Sequence, residues 1–399
     1  MTDTGRHCVS AILSAPRSGP GPERTRDGLP RAPVRHGDSL SGMTLPKIPR
    51  LLTEPVFRNI AVLLGDPRLQ DHVKPGSSFS SEDADEVNIL KETLRSFSEY
   101  QFTYLDNHKT LMDDLRHNRP DFVMNFCDNG FNNDPRRELH IPALLEMLDI
   151  PYSGAGPDCL LLSYDKGLVS KLAQNAGVPV PEEQLFTGDL SALEYWRSFP
   201  AMVKPNAADN SIGITEKSVV QSTAELKAQI LHLVNDLNIH DILIQEFLPG
   251  TEYRVTIMGN PGQGYVYLPI FEWDYSELPE NVPHILTYDS KYDVAGGYDN
   301  LKSHHSTLSP ALETEIRIYS EALFARLNCR DCAKIDYRMD AQGKLKLVEF
   351  NPNPSWDSGA YVNQEDIDKG YLYPDILRLL IEVGQLRYSP NTSYIKRSA

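Results

Sequence analysis

Cysteine, positive charge and long apolar runs are all scarce in this chain of 399 residues. Five cysteines are an odd, sparse set, which suits a reducing compartment and argues against a disulfide scaffold. Cys329 and Cys332 form a lone CxxC pair; a zinc site would need a second pair, so we interpret them as ordinary buried cysteines. No apolar run approaches the ~20 residues of a membrane helix. We therefore expect a soluble, cytoplasmic protein with no membrane partner.

The charge balance excludes one class of partner. The chain has 39 Lys and Arg against 55 Asp and Glu, which gives a formal net charge of -16. A nucleic-acid partner requires a basic face, so we expect none. ATP is not excluded, because a few lysines and bound Mg²⁺ can hold a polyphosphate inside an acidic protein.

The first 50 residues differ from the rest of the chain. They contain eight Lys or Arg and four Asp or Glu, with many Pro, Gly and Ser and no hydrophobic period. This composition predicts a disordered extension over residues 1–50. The arginines of this segment are compatible with a transit peptide, although its acidic residues and prolines disfavour one. Met43 is a second possible start, so we favour a dispensable extension or an over-long gene model.

Residues 51–157 show the pattern of a small doubly wound α/β domain. Short apolar runs, beginning with Asn59–Leu64, alternate with helical periods in the order β-α-β-α-β-α-β. That order predicts a parallel sheet. No GxGxxG motif occurs in it, so we predict no dinucleotide site there.

After Pro179 the strands become longer and pair through turns. We predict two α+β units, over residues 158–248 and 249–388, whose strands are antiparallel. A polar stretch over residues 274–308 has no period and is predicted to be a long loop; such a loop is usually functional or mobile.

The strongest candidate site lies on a predicted hairpin near the C-terminus. Glu349 and Asn351 are two residues apart on one strand and so share a face, and the partner strand can bring Asp336 onto that face. Two carboxylates and an amide oxygen suit Mg²⁺, which fills its remaining positions with phosphate and water. The alternative is a solvated hairpin face with scattered acids.

Other candidates are weak when taken alone. Lys204 ends an apolar strand before a polar turn containing Ser211, which would suit a phosphate clamp, but this feature alone favours an ordinary surface lysine. Lys166, taken alone, is no stronger evidence for a phosphate contact. The connector after Ile242–Phe247 can present backbone groups to an adenine edge, or it can be a normal β-connection.

Taken in order, these segments resemble the ATP-grasp ligases, and in particular the D-alanine–D-alanine ligase group. The resemblance covers roughly residues 121–386 and rests on the ordered set Asp165-Lys166, Val203-Lys204-Pro205, Ile244–Glu252, Tyr288–Tyr292, Ile335-Asp336 and Glu349–Asn351. It implies a fold in which the N-terminal α/β domain precedes an ATP-grasp domain of two α+β subdomains.

The resemblance also implies a role at each matching position. Lys166, Lys204 and the turn at Ser211 would contact ATP phosphates. Adenine would be read by the backbone of Glu246 and Leu248 with Gln245 alongside, and ribose by Glu252. Two Mg²⁺ ions, or Mn²⁺ in their place, would bind Asp336, Glu349 and Asn351. Lys334 would be catalytic, and Lys291 and Tyr292 would lie on a loop that closes over the phosphates.

The reaction implied by the resemblance joins a carboxylate to an amine through an acyl phosphate, with ADP and phosphate as products. Four positions depart from the D-alanine pattern: Gly65–Gln70 lacks the serine and glutamate that hold the first substrate, Asn210 replaces a serine, Lys334 an arginine and Ala360 a serine. We therefore expect amino-acid or amine substrates without assigning them. A true D-alanine–D-alanine ligase, an inactive ATP-binding regulator and a homodimeric assembly stay open.

Overall fold

The computed structural model describes residues 48–207, 211–279, 282–287, 301–361 and 371–389. Within these residues the strands form three sheets. Short 3₁₀ turns occur at Pro75–Ser77, Phe131–Asn133, Pro135–Arg137, Ala192–Tyr195 and Glu216–Ser218. No helix of the described residues is long and apolar enough to cross a membrane.

The first sheet is parallel, as the alternating pattern predicts. Its strand order is β2-β1-β3-β4. Ser80 caps the first helix, where its side chain and that of Asp83 bond reciprocally to backbone N–H groups. The elements are β1 (Asn59–Leu63), α1 (Ser81–Arg95), β2 (Gln101–Leu105), α2 (Leu111–His117), β3 (Phe122–Asn125), α3 (His140–Met147) and β4 (Tyr152–Ser153).

The second sheet is antiparallel, with the strand order β5-β8-β6-β7. One long helix packs its apolar face on this sheet, where Leu226, Ile230 and Leu233 join Val203 and Ile244 in a single core. The elements are α4 (Pro157–Ser163), α5 (Lys166–Asn175), β5 (Glu183–Leu185), β6 (Ala201–Pro205), β7 (Val219–Val220), α6 (Thr223–Asn235) and β8 (Ile242–Glu246).

The third sheet is also antiparallel and has the order β12-β11-β9-β13-β14, with β10 paired to β9. Its central strands are almost continuously buried, although charged residues such as Arg254 and Lys334 occur along them. The elements are β9 (Glu252–Asn260), β10 (Gly264–Tyr267), β11 (Phe271–Asp274), β12 (Lys302–His305), α7 (Pro310–Arg326), β13 (Asp331–Met339), β14 (Leu345–Asn351), α8 (Ser358–Tyr361) and α9 (Tyr373–Leu386).

The prediction of a loop throughout residues 274–308 is wrong at its C-terminal end. Residues Lys302–His305 form β12, an edge strand paired antiparallel with β11. The segment KSHH has no apolar period, so the strand is specified by its partner: His304 Nε2 lies 2.7 Å from Glu272 Oε1, and the ring of His305 packs edge-on against Phe271.

Helix α9 packs against the first sheet, although it follows the third sheet in the chain. Leu377 and Ile381 share one core with Ile60 and Phe122. Gly384 allows the close approach, because a Cβ there would lie 2.9 Å from the Phe122 ring. Arg387, just after the helix, donates to both carboxylate oxygens of Asp331 on β13 at 2.8 and 2.9 Å. The first and third sheets are therefore joined through the C-terminal helix, and the predicted domain limits stay predictions.

Candidate active site

A cleft of about 920 Å³, partly open to solvent, lies between the second and third sheets. We call it the nucleotide cleft. Strands β6 and β8 and the start of α5 form one wall, and β9, β13 and β14 form the other. The structure brings together nine residues that the sequence singled out, all of which line this cleft: Lys166, Lys204, Ser211, Gln245, Glu246, Leu248, Glu252, Asp336 and Glu349.

Lys204 is a buried cation in the wall of the cleft. It lies in β6 with 5% of its surface exposed. Burial, and next the nearby charge of Lys166, lowers the pKa of its ammonium group to about 8. An ammonium without its hydration shell gains most from a polyanion placed beside it, so the position suits a phosphate contact.

Lys166 begins α5 and reaches across the cleft. The Asp165 side chain caps this helix by accepting from Leu168 N–H at 2.8 Å, and Asn206 accepts from Gly167 N–H at 2.8 Å. These contacts fix the helix start against the end of β6. Lys166 Nζ then lies 3.1 Å from Glu349 Oε1 on β14.

The described part of the turn after β6 contains two backbone positions in the left-handed region. Ser211 has φ 58° and Gly213 has φ 76°. A Cβ at Gly213 would also lie 3.0 Å from the Pro205 ring, so this position requires glycine. Asn210, the predicted departure in this turn, lies outside the described residues.

The connector between β8 and β9 forms the apolar end of the cleft. Gln245 donates to Glu183 Oε2 at 3.0 Å, and the carboxylate of Glu246 pairs with Lys346. The Glu246 N–H donates to the Glu182 carbonyl at 2.9 Å, so this donor is used within the protein. The predicted backbone contact of Glu246 would therefore involve its carbonyl. Apolar side chains complete this end of the cleft, namely Pro181, Met202, Ile212, Phe247, Leu248, Ile285 and Val348.

Glu252 is a buried carboxylate next to that apolar end. It accepts from Arg338 Nη1 and from the Tyr275 hydroxyl, each at 3.1 Å. Burial raises the pKa of its carboxyl, while the neighbouring Arg338 opposes that rise. Arg338 also donates to the Gly250 carbonyl at 3.1 Å, which holds the pair in place.

The predicted metal face is formed by two strands in register. Asp336 on β13 pairs with Glu349 on β14, and Lys334 pairs with Asn351. A bulge follows Asp336, where Val348 is the extra residue. Asp336 and Glu349 are both in the nucleotide cleft, whereas Asn351 is not among the residues that line it.

A second cleft opens beside the first and shares three residues with it: Arg254, Asp336 and Glu349. Lys334 and Asn351 line this second cleft only. Asp128 and Glu138, which follow strand β3 of the first sheet, give it two further carboxylates. Glu138 Oε1 accepts from Asn353 Nδ2 at 2.6 Å.

Sequence reasoning missed Arg254, Asp128 and Glu138. Arg254 had a usable signal, because it lies two residues from Glu252 in a strand and therefore shares its face. Asp128 follows a parallel strand, where ligand-binding groups of such sheets are found. Lys291 and Tyr292 lie outside the described residues, as does the side chain of Ala360.

Comparison with known proteins identifies the class. Residues 172–382 match the family described as D-ala D-ala ligase C-terminus, which is more than half of the chain. The chain therefore belongs to the D-alanine–D-alanine ligase family of ATP-grasp proteins and is an ADP-forming carbon–nitrogen ligase.

Two related proteins show how similar the chain is to other sequences. The uncharacterized protein y4sG of Sinorhizobium fredii is 30% identical over 255 residues, 64% of this chain and 72% of that protein. The D-alanine–D-alanine ligase of Aquifex aeolicus is 26% identical over 280 residues, 69% of this chain and 87% of the relative.

The structural neighbours share the fold. The D-alanine–D-alanine ligase from Bacillus anthracis complexed with ATP has a TM-score of 0.59 at 20% identity and covers 84% of this chain and 98% of its own. The VanG D-Ala:D-Ser ligase from Enterococcus faecalis has a TM-score of 0.57 at 16% identity and covers 82% and 99%. The predicted arrangement of a parallel N-terminal sheet followed by an ATP-grasp domain is confirmed.

Ligases of this family use ATP and Mg²⁺, and the donor set on β13 and β14 fits this ion. Asp336 and Glu349 present hard carboxylate oxygens to the same cleft as Lys166 and Lys204. Both carboxylates already contact cations, Arg254 in one case and Lys166 in the other, so positive charge is favoured beside them. Asp336 and Glu349 would hold the metal, which neutralises phosphate charge when bound.

Proposed function

We propose that this chain activates the carboxylate of an amino acid with ATP and joins it to an amine, giving a dipeptide or an amide with ADP and phosphate. One observation carries the proposal: the nucleotide cleft and the second cleft meet at Asp336, Glu349 and Arg254. A phosphoryl group held in the first cleft would thus lie beside a small molecule held in the second.

The predicted residues take complementary parts in this reaction. Lys166 and Lys204 bind and orient the phosphates, and Asp336 and Glu349, with Asn351, hold Mg²⁺; we propose two ions and allow Mn²⁺ in their place. Leu248 and the apolar end of the cleft receive the base, and Glu252 the ribose. Charge neutralisation and positioning supply most of the catalysis in phosphoryl transfer.

The second cleft suggests the substrate class. Charges of both signs line it: Asp128 and Glu138 bring carboxylates, and β13 brings the ammonium of Lys334 together with the carboxylate of Asp336. An amino acid carries an ammonium and a carboxylate, so a cleft with charges of both signs supports amino-acid substrates. The relatives' names specify D-alanine, and one neighbour's title D-Ala:D-Ser, which makes D-alanine the first compound to test.

The N-terminal segment supports a substrate different from the usual pair. Asp66 accepts from Arg68 Nε at 2.7 Å and from His108 N–H at 2.9 Å, so its carboxylate holds the loop together. Gly65–Gln70 is absent from the residues that line either cleft. We propose that Asp128 or Glu138 holds the first substrate's amine in its place.

The deciding experiment is a panel of amino acids and amines, offered in pairs with ATP and Mg²⁺. Phosphate release and product mass are measured for each pair. Amine-dependent phosphate release with a coupled product supports the ligase. D-alanyl-D-alanine as the best product would establish the true D-alanine–D-alanine ligase, and no release with any pair would favour an inactive ATP-binding regulator.

A further inference from the structure

Arg254 places a guanidinium at the boundary between the two clefts. It lies on β9 opposite Asp336 on β13, and its Nε and Nη2 donate to the two carboxylate oxygens at 3.0 and 3.3 Å. The guanidinium carbon also lies 5.5 Å from the centroid of the Trp273 ring. These two hydrogen bonds and the contact with the ring fix the orientation of the planar guanidinium in the cleft wall.

Each of the other cations lines only one of the two clefts. Lys166, Lys204 and Arg338 line only the nucleotide cleft, and Lys334 lines only the second. Arg338 is directed at Glu252 and the Gly250 carbonyl, at the apolar end. Within the part of the chain that the structure describes, Arg254 is thus the cation that borders both clefts.

We propose that Arg254 is a catalytic residue that donates hydrogen bonds to the anionic oxygen formed when the amine attacks the acyl phosphate. The inference rests on the proposed function. The carbon under attack must lie where the phosphoryl group from the nucleotide cleft meets the substrate of the second cleft. Arg254 lines both clefts at this boundary. A fixed donor at developing charge is among the largest contributions to such reactions.

Attack by the amine and departure of phosphate conserve atoms and electrons. The amine nitrogen uses its lone pair to form a C–N bond to the acyl phosphate carbon, and the carbonyl π pair moves onto its oxygen. When the C=O bond reforms, the bond from carbon to the phosphate oxygen breaks and phosphate leaves with that electron pair. The extra nitrogen proton passes to the departing phosphate. Arg254 stays protonated throughout, because an arginine in a protein is a donor and not an acid.

The chemistry of the side chain favours this assignment over Lys334 alone. A guanidinium has five N–H donors in a rigid fork, so one group can serve the Asp336 carboxylate and a transient anion together. An ammonium on a flexible stem supplies charge without a fixed direction. Lys334 is better suited to hold a substrate carboxylate within the second cleft.

The test separates the two chemical steps. With ATP, Mg²⁺ and the best substrate pair from the panel, ADP and amide formation are followed in single turnovers. We expect Arg254→Ala to slow amide formation about 10²–10³-fold and ADP formation by less than about tenfold. The acyl phosphate should then accumulate, and hydroxylamine should trap it as a hydroxamate.

Three further variants sharpen the test. Arg254→Lys keeps the charge and loses the fork, so amide formation should fall by an intermediate factor of about tenfold. Arg254→Ala combined with Lys334→Arg returns a guanidinium to the diagonal position on β13 and should recover part of the lost rate. Arg317→Ala is the matched control, because Arg317 also pairs with a glutamate, at 2.7 Å, and lies 4.2 Å from a tyrosine ring, but is on α7.

Each outcome decides the proposal. Equal losses in ADP and amide formation would place the effect at phosphoryl transfer or the metal and overturn it, as would an unchanged amide rate in a folded variant. If Arg254→Ala does not fold, the step-by-step rates of Arg254→Lys decide. Failure of the unsubstituted chain to form ADP with any substrate would overturn the proposed function itself, before any variant is compared.

Discussion

Asp336 and Glu349 are cross-strand partners on β13 and β14, and each carboxylate contacts a different cation. Arg254 pairs with Asp336 from β9, and Lys166 reaches Glu349 from the start of α5. Four charged groups from four separate elements therefore meet at one point. This point is where the nucleotide cleft and the second cleft join, which makes it the place where substitutions should have the largest effect on turnover.

Asp336→Asn and Glu349→Gln should each abolish turnover. Each removes one negative charge from the proposed Mg²⁺ site and weakens an ion pair with a neighbouring cation, and catalysis by charge neutralisation depends on the charge at this site. The measurement is amine-dependent phosphate release by purified variants whose folding is checked by circular dichroism. Glu313→Gln, which removes an exposed carboxylate on α7, is the control. Near-normal rates in both site variants would remove the metal assignment.

Lys204→Met should stabilise the chain without nucleotide and weaken ATP binding. Burial lowers the pKa of Lys204 from 10.5 to about 8, so keeping the ammonium charged at pH 7 costs on the order of 3 kcal/mol of folding free energy. Methionine has no such cost. The charge helps when ATP is bound, so the same change should weaken binding about tenfold to a hundredfold, as for loss of one charge-assisted hydrogen bond.

The direction of the pKa shift at Lys204 predicts how its contribution to stability depends on pH. The folded pKa lies below the unfolded value, so the unfolded chain binds more protons between pH 8 and 10.5. The contribution of Lys204 to stability is therefore unfavourable below pH 8 and disappears as the pH rises to 10.5. Melting temperatures of wild type and Lys204→Met should converge over that interval, with Lys344→Met as the exposed control. A constant difference across the interval would contradict the prediction.

A chain that begins at Met43 should fold and keep its activity, whereas one that begins at Thr53 should be less stable. Arg50 Nε lies 2.5 Å from the fully buried Glu382, and Leu51 N–H donates to the same carboxylate at 2.6 Å. Removing this ion pair and this hydrogen bond leaves the buried Glu382 carboxylate less well compensated, which typically costs about 1–3 kcal/mol. Urea denaturation of the two truncated chains measures the difference, and equal stabilities would show that these contacts contribute nothing.

The wild-type chain should use D-alanine poorly as the acceptor, and Lys334→Arg should improve it. A free amino-acid carboxylate is best held by a bidentate fork, and a single ammonium in its place typically costs about 1.5–3 kcal/mol, a tenfold to hundredfold change in affinity. The measurement is kcat/KM for D-alanine against other amino acids and amines in both proteins. Two basic residues of β12 that could substitute for Lys334 are engaged elsewhere: Lys302 pairs with Glu277, and His304 with Glu272. If D-alanine proves the best substrate for both positions of the wild type, the prediction is wrong.

Much of the fold could be predicted, because the signals were local. The first sheet followed from alternating apolar runs and helical periods, and its parallel arrangement was confirmed. Strand β12 could not be predicted, since Lys302–His305 is polar throughout and pairs only because β11 lies beside it. The docking of α9 on the first sheet depends on residues more than 250 positions apart, such as Phe122 and Ile381, whose contact no local pattern records.

The sequence by itself identified nine residues that line the nucleotide cleft, because motifs in a fixed order along the chain carry that information without coordinates. Only the tertiary structure decided how the charges pair. Register across β9, β13 and β14 places Arg254 against Asp336 and Asp336 against Glu349, and the bulge after Asp336 shifts every later pair. The alternation of side chains along one strand defines which residues share a face. Which charged residue lies opposite a given one on the next strand depends on the register of the two strands. The packing of the whole sheet sets that register.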